Sequence, residues 1–66
     1  MHRHKFRVGQ LVRLDAALPE HRSTLGRTYK ILRLLPPEGS ECIYSIKMIM
    51  EAVHRIATER EIVALP

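Results

Sequence analysis

The basic residues of this chain are concentrated in its first half. Residues 1–33 carry eight Lys and Arg against two acidic residues, whereas residues 34–66 carry three against five. Clustered Lys and Arg attract phosphates, and counterion release then drives nucleic-acid association. The sequence therefore predicts weak binding of RNA or single-stranded DNA, with Tyr29 as a base-stacking candidate. The predicted binding residues are Arg7, Arg13, Arg22, Arg27, Lys30 and Arg33.

Two other interpretations of the same residues stay open. The charges can simply solvate the surface and pair across the folded domain, because a net charge of +4 is ordinary for a small protein. Alternatively, the domain binds another protein or forms a weak homodimer through an exposed strand edge or a groove between loops. The apolar residues 47–53, with Ile43 and Ile49 on a second apolar face, are the candidate contact.

Neither metal binding nor catalysis is expected. His2 and His4 have metal-ligand spacing, but they lie in residues 1–4, which we expect to be frayed, and no further ligands are evident. Cys42 falls on the apolar set of a predicted strand, where thiols are usually buried and inert. The glycines are scattered, so no phosphate-binding loop is predicted. We therefore expect no enzyme activity and no cofactor.

Composition limits the class of protein. Sixty-six residues, 45% apolar and 27% charged, predict one small globular domain. A single cysteine cannot form an internal disulfide, which favours a reducing, cytoplasmic compartment. No apolar segment resembles a signal peptide or a membrane span, so we expect a soluble protein, either a monomer or a weak homodimer.

The polarity pattern predicts strands. Residues 5–14 alternate around an interruption at Gly9, and residues 15–28 form a long loop with room for one helical turn. Residues 28–36 form an apolar strand that two prolines end, followed by a turn at PPEGS. A bulge or bend in this strand would leave Arg33 at the surface and turn Ile31 and Leu34 inward. The next strand has its core face at Cys42, Tyr44, Ile46 and Met48.

The segments FRVGQLVRL, TYKILRLLPPEGSE, CIYSIK and HRIATEREI, in this order, resemble a family of very small, uncharacterised bacterial proteins. The resemblance covers roughly residues 6–63. It implies an all-β, SH3-like barrel of four to five strongly bent antiparallel strands with a short C-terminal helical turn. It implies no activity.

The resemblance also bears on residues 50–65, whose composition alone favours a helix. It implies a turn near residues 51–52, a strand over 53–58 and a helical turn over 59–63. The turn lacks the Gly, Asn or Asp that turns usually contain.

Overall fold

Five antiparallel strands form one sheet in a computed structural model that describes residues 3–65. The order across the sheet is β4-β3-β2-β1-β5, and two short 3-10 helices, Pro19–Thr24 and Glu59–Glu61, interrupt the strands. This confirms the all-β prediction. The strands are β1 (Leu11–Leu14), β2 (Tyr29–Glu38), β3 (Glu41–Met48), β4 (His54–Thr58) and β5 (Ile62–Ala64).

The sheet has two edges, β4 and β5. Across residues 3–65, no hydrogen-bonded ladder joins these two strands. Closure into an SH3-like barrel therefore stays a prediction. Neither of the two short 3-10 helices in these residues could span a bilayer.

The core lies on one side of the sheet, where the alternation of β3 was predicted to place it. Tyr44 and Ile46 are fully buried, Cys42 is buried, and Met48 packs against the cluster from the side. Strands β1 and β2 and the N-terminal segment supply most of the other apolar side chains. These include Phe6, Val12, Leu14, Tyr29 and Ile31.

A bulge in β2 resolves the conflict at Arg33. Ile31 pairs with Ile46 and Arg33 pairs with Ser45, so Leu32 has no partner on β3. Arg33 is exposed, as predicted. Leu34 pairs with Tyr44 and so lies on the core side, yet it stays 44% exposed near the rim.

The prediction that Pro36 and Pro37 end β2 is wrong. The strand continues to Glu38, which pairs with Glu41, and a second register shift between Leu35 and Glu38 accommodates the prolines. Among residues 3–65, no strand pairs with this end of β2 on its other side, since β1 pairs only near Tyr29, so the missing proline N–H groups break no ladder on that side.

Two terminal predictions also need correction. In residues 5–14 only Leu11–Leu14 is a strand, because the chain turns at Gly9, where φ is +89°. The predicted helical turn over residues 59–63 ends at Glu61, and Ile62–Ala64 form β5 against β1. The predicted strand over residues 53–58 is confirmed as β4. The turn before it needs no Gly because none of its residues has a positive φ.

Candidate functional site

A row of basic side chains crosses the side of the sheet that faces away from the core. Lys30 on β2 pairs with Lys47 on β3, and Lys47 pairs with His54 on β4. Directly opposed residues in an antiparallel ladder point to the same face. Lys30 lies between the buried Tyr29 and Ile31, so strand alternation places the whole row on the outer face.

The β2 bulge adds Arg33 to this face. Lys30 and Arg33 are three residues apart, and in a regular strand they would point to opposite sides. Because Leu32 has no partner, the alternation of side chains between the two faces shifts by one residue. Arg33 therefore lies opposite Ser45, which is on the same face as Lys47. We call Lys30, Arg33, Lys47 and His54 the basic face.

The structure separates the remaining predicted residues. Arg13 is also on the outer side, but it pairs with Val63 at the β5 edge. Arg7, Arg22 and Arg27 are exposed on connections outside the strands. The Arg27 Nη1 lies 3.6 Å from the Met48 Sδ.

The suggested stacking role of Tyr29 is contradicted. Tyr29 is 3% exposed, and its hydroxyl lies 3.4 Å from the Arg55 Nη1. Phe6 and Tyr44, which are the other aromatic residues of the chain, are buried as well. Base stacking on an aromatic side chain therefore has no platform on this surface.

Sequence reasoning missed Lys47 and His54. Both belong to the acidic half of the chain, so counting charge by segment excluded them. The alternation of β3 already placed Lys47 opposite the Tyr44 face. What the sequence lacked was the register that brings Lys47 beside Lys30.

Within the described residues, no acidic side chain forms an ion pair with the basic face. The ion pairs among residues 3–65 are His21 with Glu61, at 2.6 Å, and Arg60 with Glu41, at 3.6 Å. Like charges directly opposite each other destabilise a sheet. Lys30 and Lys47 thus concentrate positive charge at a place where the described part of the protein does not neutralise it.

Both lysines line a shallow pocket of about 400 Å³. Apolar side chains and a glycine complete its wall, so the cations border an apolar surface. The lining residues are Gly9, Leu11, Lys30, Lys47 and Ile49.

The residues best placed to hold a metal ion are Glu20, His21 and Glu61, each of which offers an atom within 4.8 Å of the others. The Glu61 carboxylate is already engaged. Its Oε1 pairs with the His21 Nε2, and its Oε2 accepts hydrogen bonds from the Thr58 N–H, at 2.6 Å, and hydroxyl, at 2.8 Å. This arrangement fastens the 3-10 helix Pro19–Thr24 to the 3-10 helix Glu59–Glu61.

A second hydrogen-bonded cluster holds the N-terminal segment. The Tyr44 hydroxyl donates to Glu59 Oε1 at 2.5 Å and accepts from the Phe6 N–H at 3.1 Å, and the Lys5 N–H also donates to Glu59. His4 packs edge-on against Tyr44, and its Nε2 lies 3.0 Å from the Ile43 carbonyl oxygen. The predicted fraying is therefore wrong at His4, and residues 1–2 lie outside the described residues.

Burial keeps the Tyr44 hydroxyl and the Cys42 thiol protonated, and therefore uncharged, at neutral pH. Burial, together with the hydrogen bond to Glu59, raises the pKa of Tyr44 to about 12. Burial, followed by the negative charges of Glu59 and Glu41, raises the pKa of Cys42 above 9.0. A thiol with a raised pKa is mostly protonated at neutral pH and is a poor nucleophile.

Comparison with known proteins gave no relatives. No family model matches the chain, and neither the curated proteins nor the solved structures that were searched contain a match. The resemblance to small bacterial SH3-like barrels stays a prediction.

Proposed function

We propose that this protein is a small module that binds the phosphate backbone of RNA or single-stranded DNA through its basic face. The observation that carries the proposal is the pairing of Lys30 with Lys47, which no acidic side chain among the described residues neutralises. A phosphate between two ammonium groups would remove their mutual repulsion. Arg33 extends the positive charge along β2, and the His54 side chain lies beside Lys47 at the end of the row.

The chemistry of the face predicts the character of the binding. Since the aromatic residues are buried, affinity would come mainly from phosphate contacts, which carry no sequence information. Such binding is weak at physiological salt and strengthens as salt is lowered. We therefore expect sequence-tolerant binding.

The test compares two double variants of equal charge. Lys30→Gln/Lys47→Gln removes two charges from the basic face, whereas Arg22→Gln/Arg60→Gln removes two from elsewhere. Arg60 forms only an exposed ion pair with Glu41, which contributes little to stability. Fluorescence anisotropy with a labelled single-stranded RNA at about 50 mM salt should show a larger loss for the lysine variant, because phosphate contacts are strongest at low salt. Equal losses in both variants would refute this assignment.

A second candidate function is self-association through β4. This strand is a sheet edge with unpaired backbone groups, and Ile56 within it and Val53 just before it are more than half exposed. Edge strands of this kind can pair with another chain. The apolar face suggested by Ile43 is not available, because Ile43 is 6% exposed. A concentration series by analytical ultracentrifugation, with Ile56→Lys as the blocking variant, tests this alternative.

The proposal also covers the cellular compartment and a non-enzymatic role. A chain with one cysteine suits a reducing compartment, and we propose a cytoplasmic, non-enzymatic role, in bacteria if the family resemblance holds. Localisation of a tagged full-length chain in its native host would test the compartment.

A further inference from the structure

We infer that an apolar groove beside the basic face receives an unpaired base of a single-stranded nucleic acid. The inference rests on the proposed phosphate binding and adds to it a contact with an unpaired base. The groove has a volume of about 590 Å³, within the range of small-molecule pockets. Its wall is mostly apolar and includes Leu11, Ile49 and Met50.

The groove adjoins the paired lysines. Leu11 and Ile49 line both the groove and the shallow pocket that Lys30 and Lys47 border. Leu11 also lies directly opposite Lys30 in the sheet. A phosphate held by the lysines would thus place the attached nucleotide against apolar side chains.

These apolar side chains are unusually exposed for their type. Met50 is 87% exposed, Leu11 45% and Ile49 42%, and all three belong to one groove. A nucleotide combines a flat base, which gains by leaving water, with a phosphate that seeks cations. In a duplex the bases are stacked and paired, so that only a single strand can offer a base to the groove.

The distribution of charge sets the direction of the nucleotide. Lys30 and Lys47 line the shared pocket with no acidic residue, whereas the groove itself has one charge of each sign, Arg27 and Glu51. The carboxylate of Glu51 repels phosphate and can accept a hydrogen bond from a base amino group. We therefore place the phosphate on the lysine side and the base toward Glu51.

Two oligonucleotides with the same phosphate backbone test the inference. One is a 12-nucleotide single-stranded DNA, and the other is the same length with abasic spacers in place of every nucleoside. Anisotropy at about 50 mM salt should show the ordinary strand binding about tenfold tighter, because burial of one base against apolar side chains would contribute about 1.4 kcal/mol. Ile49→Ser/Met50→Ser should reduce the affinity for the ordinary strand to that for the abasic strand. Val53→Ser, which alters an exposed apolar residue outside both pockets, should change neither.

The outcomes of this experiment distinguish base binding in the groove from the phosphate binding on which it rests. If the unmodified protein binds both strands equally, the groove assignment is wrong and the phosphate proposal stands. If it binds neither strand, both are wrong. Lys30→Gln/Lys47→Gln should reduce the affinity for both strands to the same extent. Should the double serine variant fail to unfold cooperatively, Met50→Ser alone replaces it, because that side chain is almost fully exposed.

Discussion

Lys30 and Lys47 face each other across neighbouring strands on the outer side of the sheet. Opposed residues in an antiparallel pair have Cβ atoms about 4.5–5.5 Å apart, so the two lysine side chains leave the sheet side by side. Lys30 is exposed, and Lys47 is half-buried. The pair therefore reduces the stability of the folded state while it concentrates charge for a ligand.

Lys47→Glu should stabilise the fold and weaken nucleic-acid binding in the same protein. The substitution turns a repulsive cross-strand pair into an attractive one, a gain of about 0.2–1 kcal/mol. Urea unfolding measures the gain, and anisotropy with single-stranded RNA measures the loss. Lys47→Gln is the control, and its free energy of unfolding should lie between those of the unmodified protein and of Lys47→Glu. A variant that is both less stable and equally able to bind RNA would contradict the role assigned to the pair.

The salt dependence of binding should change by a defined amount. For single strands, each neutralised phosphate contributes about 0.7 to the slope of log K against log salt. Because the proposal places one phosphate between the two lysines, Lys30→Gln/Lys47→Gln should reduce the magnitude of the slope by about 0.7. Arg22→Gln/Arg60→Gln has the same net charge and should leave the slope nearly unchanged. A parallel shift of both lines without a change in slope would indicate a general charge effect.

The Tyr44 hydroxyl should matter to stability far more than the Tyr29 hydroxyl. Tyr44→Phe leaves the buried Phe6 N–H without its partner and removes the bond to Glu59, a cost of about 1–3 kcal/mol. Tyr29→Phe is the matched control, because its hydroxyl makes only a long contact with exposed Arg55. Thermal unfolding of both variants gives the comparison. Similar melting temperatures for both would refute the importance of the cluster at Tyr44.

Local patterns in the sequence were enough to predict the strand that carries the core. The alternation at Cys42, Tyr44 and Ile46 follows directly from the pleat of a strand. The conflict at Arg33 likewise required a bulge, and the bulge is present. What a local pattern could not give was the partner of each residue, since register depends on contacts between distant segments.

The wrong predictions have the same cause, because the pairing between strands could not be read from local patterns. Pro36 and Pro37 would end a strand where a neighbouring strand needs their N–H groups as donors. The sequence did not show that this end of β2 is unpaired on one side. Ile62–Ala64 is too short to give a period, and it is a strand because β1 pairs with it. The basic face was incomplete for the same reason, as Lys47 joins it only through pairing.

The hairpin between β2 and β3 should depend on Gly39. Its φ is +61°, and Ser40 follows with a negative φ, as in a type II′ turn. Gly39→Ala should cost about 1–2 kcal/mol, because a Cβ is disfavoured in this conformation. Open space surrounds the position, so steric contact adds nothing. Gly39→Asn should cost less, since Asn tolerates positive φ better. Equal unfolding free energies for the two variants would contradict this account.

Stability should fall in acid because of Glu61. Its burial raises the pKa, but hydrogen bonds from the Thr58 backbone, from His21 and from the Thr58 hydroxyl outweigh that effect, so the pKa lies below 4.5. A carboxylate with a depressed folded-state pKa contributes stability above its unfolded-state pKa and loses it as pH falls through the folded-state pKa.

Urea unfolding at neutral pH and at steps below about pH 4.5 tests this, because the unfolded chain takes up protons in that range first. Glu61→Gln should lower stability at neutral pH by about 1–3 kcal/mol and flatten the decline in acid. The decline should not vanish, because the pKa of Glu59 is also lowered: burial opposes the shift, and hydrogen bonds from Tyr44 and the Lys5 backbone outweigh it. Glu20→Gln removes a neighbouring charge without removing a hydrogen bond found in the described residues, and it should leave the acid decline intact. An equal flattening in both variants would mean that net charge, rather than the Glu61 cluster, governs the acid response.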